Sequence, residues 1–155
     1  MPESTALRVN GAQVTVTTEP RTSLARVLRE QLRLTSVKLA CERGECGACT
    51  VLIDGAPRMS CITPARLVRR DVVTAEGLGE EAHDLQAAFA DHGAFQCGFC
   101  TSGQLVHAAA ILREELPAGV ELEPFVRQRL SGNICRCTGY NGLVDAVCAV
   151  AEERR

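Results

Sequence analysis

Cys41-Glu42-Arg43-Gly44-Glu45-Cys46-Gly47-Ala48-Cys49 brings three thiols into one short loop at the spacing C-x4-C-x2-C, and Cys61 follows after eleven intervening residues. Three thiols converging from one loop require the backbone to fold tightly around whatever they bind. Gly44 and Gly47 suit such a loop, because glycine tolerates positive φ and permits close backbone approach. Structural zinc sites are usually built from paired C-x2–4-C knuckles, whereas this is a three-cysteine wrap.

The spacing is the plant-type one for a [2Fe–2S] cluster. Such a cluster is dianionic when oxidised and trianionic when reduced, so the loop must aim N–H groups at the sulfurs, which also tunes the potential. The flanks support a β framework. Thr50-Val51-Leu52-Ile53 reads as a strand ending at the turn Asp54-Gly55, and Cys61 falls in a further strand candidate near Arg58–Ile62, where it can close the site. Leu7-Arg8-Val9 and Val14-Thr15-Val16 alternate around Asn10-Gly11, which predicts a hairpin. Thr22 or Ser23 is positioned to cap a helix with Leu24, Val27, Leu28 and Leu32 on one face. A last short strand is expected near Val72–Ala75.

Beyond the polar stretch 77–83 the β signals give way to helical ones. Helices are expected from Asp84, a candidate cap, to about Ala90; from Ser102 or Gly103 to Glu115; from about Glu123 to Leu130; and from about Asn141 to Glu153. The chain thus reads as α+β, a small mixed β/α domain over 1–78 followed by a four-helix domain over 79–155.

A second cysteine group lies in the helical half. Cys97-Gly98-Phe99-Cys100 and Cys135-Arg136-Cys137 form C-x2-C and C-x-C across a gap of 34 residues. Each pair lies just ahead of an expected helix, with Thr101 or Ser102 and Thr138 or Asn141 as candidate caps. Two facing helix N-termini make a seat for an anionic group. The spacing itself is equally compatible with zinc.

The whole chain has 155 residues, nine cysteines and a net charge of −2, from 17 basic and 19 acidic residues. That balance offers no footprint for nucleic acid or an anionic membrane, and 3% aromatic content argues against a nucleobase-stacking surface. Arg66, Arg69 and Arg70 read as a solvated face. No apolar run approaches the ~20 residues of a membrane span. The N-terminus lacks the charged and apolar regions of a secretory signal, so a cytoplasmic location is expected, where cysteines serve metals or thiol chemistry and not disulfides.

The strings Gln96-Cys97-Gly98-Phe99-Cys100-Thr101 with Gly103, and Gly132-Asn133-Ile134-Cys135-Arg136-Cys137-Thr138-Gly139-Tyr140, closely resemble the iron–sulfur small subunit of the molybdenum hydroxylases, the xanthine dehydrogenase, aldehyde oxidase and carbon monoxide dehydrogenase family. The loop 41–49 is similar to the same family, and the resemblance covers nearly the whole chain in order. It implies an N-terminal β-grasp, ferredoxin-like domain and a C-terminal four-helix domain, each with one [2Fe–2S] cluster. The ligand sets would be Cys41, Cys46, Cys49 and Cys61, then Cys97, Cys100, Cys135 and Cys137.

It further implies a large subunit carrying a molybdenum–pterin cofactor and a medium subunit carrying FAD, in a dimer of heterotrimers. Electrons would run from molybdenum through the helical-domain cluster, then the β-domain cluster, to the flavin. Gln96 and Cys137 match family positions that contact the pterin; a loop amide bonded to local backbone is the plainer reading of Gln96. This chain would catalyse nothing alone. Ser102 stands where the family commonly has proline, and a capping hydroxyl is the expected substitute.

Outside these groups the expectations are plain. Cys148, on the inward stripe of the last helix with Val144 and Ala151, reads as a buried thiol. His83, His92 and His107 are isolated, and Tyr140 and Phe99 either shield a cluster or simply pack. A stand-alone ferredoxin and a zinc-stabilised interaction module are the competing functions. The substrate of the complex and its terminal acceptor belong to other chains.

Overall fold

A computed structural model describes residues 1–154. Asn10 and Gly11 adopt the left-handed backbone, φ 51° and 81°, that a two-residue hairpin turn requires. They join β1 (Glu3–Val9) to β2 (Ala12–Thr18), with Leu7 opposite Val14. Leu7, Val9 and Val16 are buried while their neighbours face outward, the period-two pattern of a sheet with one covered face. Asp54 and Gly55 repeat the same turn between β3 (Thr50–Ile53) and β4 (Ala56–Met59). The short β5 (Val72–Val73) lies between β1 and β3, parallel to the first and antiparallel to the second, so the mixed sheet runs β2-β1-β5-β3-β4.

Ser23 caps α1 (Leu24–Arg26), its hydroxyl accepting from Arg26 N at 3.4 Å. The expected helix continues to Gln31 but as a wider π turn over Val27–Gln31. Leu24, Ala25, Val27 and Leu28 are buried there against the sheet residues Leu7, Val9, Val51 and Val72. The expected strand near Arg58–Ile62 stops at Met59. Ser60, fully buried, turns the chain instead by donating its hydroxyl to Cys49 O at 2.6 Å.

After two short 3-10 turns come α2 (His83–Asp91), α3 (Thr101–Leu112), α4 (Leu122–Arg129) and α5 (Asn141–Glu153). Their shared core holds Leu85, Phe89, Val106, Val126, Leu143 and Val147, and Leu52 of β3 reaches into it. The caps differ from expectation. Asp84 lies inside the first turn of α2, and the helix starts from Ala82 without a side-chain cap. Cys100 already has helical φ and ψ, so Thr101 and Ser102 fall within the first turn of α3 and cannot cap it. Tyr140, at φ 66°, precedes α5 in place of Thr138 or Asn141. Among the described residues no helix is long and apolar enough to cross a membrane.

Asp84 instead anchors the far end of α5. Arg154 donates Nε to Oδ2 at 2.8 Å and Nη2 to Oδ1 at 2.6 Å, and the guanidinium holds the carboxyl below its usual pKa. This pair is part-exposed, so Asp84→Asn is expected to lower stability by only about 0.5–1 kcal/mol at neutral pH. A depressed native pKa gives stability that is present above the unfolded value, about 3.9, and is lost as pH falls through the native one. Thermal melts of the two proteins should therefore differ at pH 7 and converge in acid.

Candidate metal centres

The first loop converges as its spacing demands. Arg43 N donates to Cys41 Sγ at 3.4 Å. N–H groups of Arg43, Cys46 and Glu45 together draw the Cys41 thiol down to about 6, a value at which it is thiolate at neutral pH. Cys61 behaves oppositely: burial, then the adjacent Cys49 thiol, push it up to about 12. The thiols are grouped two by two, Cys41 beside Cys46 and Cys49 beside Cys61. The turn at Ser60 accounts for the second pairing. By using the Cys49 carbonyl as its acceptor, Ser60 delivers Cys61 to Cys49.

The second group pairs in the same way. Cys137 and Cys97 approach to 3.6 Å between sulfurs, and both are exposed. Cys100 lies beside Cys135, with burial first and that thiol second raising Cys100 to about 12. Burial also acts to raise Cys135. The Thr138 hydroxyl at 3.3 Å and the N–H groups of Cys137 and Thr138 outweigh it, leaving about 7. Thr138 therefore serves a cysteine sulfur instead of capping α5. Tyr140 braces the Cys135 backbone: its hydroxyl takes the Cys135 N–H at 2.7 Å and donates to the Cys135 carbonyl at 3.0 Å. Gln96 donates Nε2 to Cys137 O at 2.9 Å, a backbone carbonyl 41 positions away.

The two groups meet at a seam. Ile134 N donates to Cys46 O at 2.9 Å, so a residue adjoining Cys135 touches a residue of the first loop. Asn133 Nδ2 donates to Gly47 O at 3.1 Å. Ser102 donates its hydroxyl to Ser36 O at 2.5 Å, tying the start of α3 to the approach of the first loop. Gly47 sits at φ +73°, and a Cβ there would meet Gly132 O at 2.5 Å and Asn133 Nδ2 at 2.6 Å. Glycine is needed both for the backbone angle and for the contact. Asn133 is visible in the sequence only as one letter of a motif. It carries a signal there, as a polar residue two before a cysteine, but nothing local reveals its partner 86 positions away.

The donor set fits [2Fe–2S] clusters. Each iron of such a cluster takes two thiolates and shares two bridging sulfides with the other, and both groups offer two pairs. Thr101 Oγ1 and both polar atoms of the Gln104 amide are buried without a partner, all on the first turn of α3 behind Cys100. Buried polar groups are almost always bonded, so this turn holds hydrogen-bonding capacity that the described residues do not use. Cys148 is half-buried, with its thiol pKa raised mainly by burial, and joins neither group. His83 and His92 are exposed and stand apart, while His107 contacts Asn133.

Comparison with known proteins agrees with this geometry. Residues 7–77 match the family described as 2Fe-2S iron-sulfur cluster binding domain, and residues 74–148 match the [2Fe-2S] binding domain. The chain is 48% identical to the nicotine 6-hydroxylase small subunit of Paenarthrobacter nicotinovorans, covering 91% of this chain and 85% of that one. It is 42% identical to the nicotinate dehydrogenase small FeS subunit of Eubacterium barkeri, over 86% of this chain and 85% of that one. Among solved structures, quinoline 2-oxidoreductase from Pseudomonas putida 86 superposes with a TM-score of 0.87 at 45% identity, covering 97% of this chain and 94% of that one. Two [2Fe-2S] domains in this order, and relatives of this kind over most of their length, place it: the chain belongs to the iron–sulfur small subunits of the molybdenum hydroxylase family.

Proposed function

We propose that this chain is the electron-transfer small subunit of a heteromeric molybdenum hydroxylase. Cys41, Cys46, Cys49 and Cys61 hold one [2Fe–2S] cluster in a β-grasp, ferredoxin-like domain over 1–78. Cys97, Cys100, Cys135 and Cys137 hold the other in a four-helix domain over 79–155. Each cluster supplies a one-electron carrier. The chain's own residues hold the thiolates in pairs, donate N–H and hydroxyl groups to sulfur, and join the two sites by the Ile134–Cys46 hydrogen bond. That bond is the observation carrying the reading: two independent stores would have no need of a shared seam.

Direction follows from exposure and family resemblance together. The pair Cys97 and Cys137, with Gln96 beside it, opens at the surface, the side on which a molybdenum–pterin cofactor of a large subunit would contact Gln96 and Cys137. Electrons then leave by the 41–61 cluster to FAD on a medium subunit. Transfer is the whole of its part; the substrate's oxidation belongs to the large subunit. The assembly is a cytoplasmic dimer of heterotrimers.

The test is analytical. The purified chain should contain about four irons and four acid-labile sulfides, and zinc without sulfide would end the reading in favour of a zinc-stabilised module. Gentle purification of the tagged native protein should retain a large molybdenum-containing chain and a flavin-containing one, with a native mass of two copies of each. Recovery as a lone monomer would leave a stand-alone ferredoxin.

A further inference from the structure

Asn133 is 1% exposed, yet every polar atom of its side chain is used. Its Nδ2 donates to Gly47 O at 3.1 Å and to Thr50 Oγ1 at 3.3 Å, and its Oδ1 meets His107 Nδ1. The orientation of the amide is not arbitrary. Gly47 O can only accept, so the nitrogen must face it and the oxygen must face His107. His107 Nδ1 is therefore the protonated ring nitrogen and donates to Asn133. The Thr50 hydroxyl in turn donates to the same Gly47 carbonyl at 2.7 Å, which leaves its lone pair for Nδ2. All three residues agree on one arrangement of protons.

The placement matters more than the bond count. Gly47 lies between Cys46 and Cys49 in the first cysteine loop, and Asn133 is two residues before Cys135 in the second. His107 comes from the middle of α3, the helix that directly follows Cys100. One buried side chain thus ties together the loop of one thiol group and both chain segments that bear the other. Immediately beyond it, Ile134 N reaches Cys46 O. Lateral slip of one site on the other would leave the Asn133 amide and the Gly47 carbonyl buried and unbonded, which is strongly disfavoured.

Resting on the two-cluster reading above, we propose that Asn133, oriented by His107, is the positioning residue that holds the two iron–sulfur sites in register for electron transfer between them. It touches neither set of thiols. It acts by keeping the Ile134–Cys46 contact closed and the separation of the sites constant, on which tunnelling rates depend steeply.

The experiment uses the full chain with its clusters loaded. Asn133→Asp keeps the shape but turns a carboxylate oxygen toward the Gly47 carbonyl, so the tie becomes repulsive. Iron and sulfide content should stay at the wild-type level. The spin–spin splitting in the EPR spectrum of the fully reduced protein should change, and electron exchange between the sites after pulsed reduction should slow. Mere destabilisation would lower cluster content or melting temperature without moving these two readouts at full loading.

His107→Leu removes only the orienting donor and should shift both readouts in the same direction, less far. His107→Asn, whose amide nitrogen occupies the place of Nδ1, should restore them. Unchanged splitting and exchange rate in loaded Asn133→Asp would overturn the proposal. Should that variant fail to load, a loaded His107→Leu with wild-type splitting overturns it equally. Absence of two clusters in the wild-type chain would be a failure of the two-cluster reading itself, and iron analysis separates the cases.

Discussion

Cys49→Ser is expected to abolish one of the two EPR signals of the reduced protein and to leave the other intact. Iron and sulfide content should fall by about half, since one of two clusters is lost. Cys49 is 3% exposed, the most deeply buried thiol of its group, and pairs with Cys61. Serine offers a hydroxyl whose deprotonation is far harder than a thiol's, so one iron would lose half its protein ligands. The second signal should survive because its four thiols belong to the half of the chain that is built on a separate apolar core, that of α2 to α5. Cys148→Ser is the matching control and should leave both signals unchanged. Loss of both signals in Cys49→Ser would mean that the two sites do not load independently.

The parts of this fold written in short-range chemistry are legible in the sequence. Asn10-Gly11 and Asp54-Gly55 announce hairpins because few other dipeptides accept two positive φ angles in succession. The first cysteine loop declares its chemistry because three of its four ligands lie within one wrap. The caps are less legible. Ser102, Thr138 and Asp84 each stand where a cap belongs, yet each side chain is recruited elsewhere, to Ser36 O, to the Cys135 sulfur and to Arg154. A hydroxyl or carboxylate near a helix start has several possible partners, and tertiary contacts decide among them. Asn133 and the glycines around the seam are illegible for the same reason: their partners are distant in the chain. Spacing also does not separate zinc from iron at the second site, whereas the pairing of thiols in space argues for two metal ions in each group.

The seam makes one substitution reverse its usual sign. Gly103 lies inside α3, where alanine is ordinarily more stable than glycine by about 1 kcal/mol. Its φ is unremarkable, so backbone strain does not forbid the change. A Cβ at this position, however, would press directly on Gly47 O and sit 3.2 Å from both the carbonyl carbon and oxygen of Ala48. None of these atoms belongs to a side chain that could swing away. Gly47 O is held by Asn133 Nδ2, by the Thr50 hydroxyl and by Thr50 N, and its loop carries the first thiol group. Relief must come from lifting α3 off the loop, which stretches the Ser102–Ser36 and His107–Asn133 bonds together. Overpacking of this kind typically costs about 1–3 kcal/mol, and the part-buried hydrogen bonds loosened at the same time add about 1 kcal/mol each. Gly103→Ala is therefore expected to destabilise the chain by about 2–4 kcal/mol net of the helix propensity gained, read as a drop in the thermal midpoint of the loaded protein. Gly119→Ala provides the contrast, since that glycine has φ +78° but open space around its Cβ position. It should show only the strain of a left-handed alanine, about 1 kcal/mol. A Gly103→Ala protein as stable as the parent would mean that α3 and the first loop can part freely, and that the two sites are not held by the contact between them.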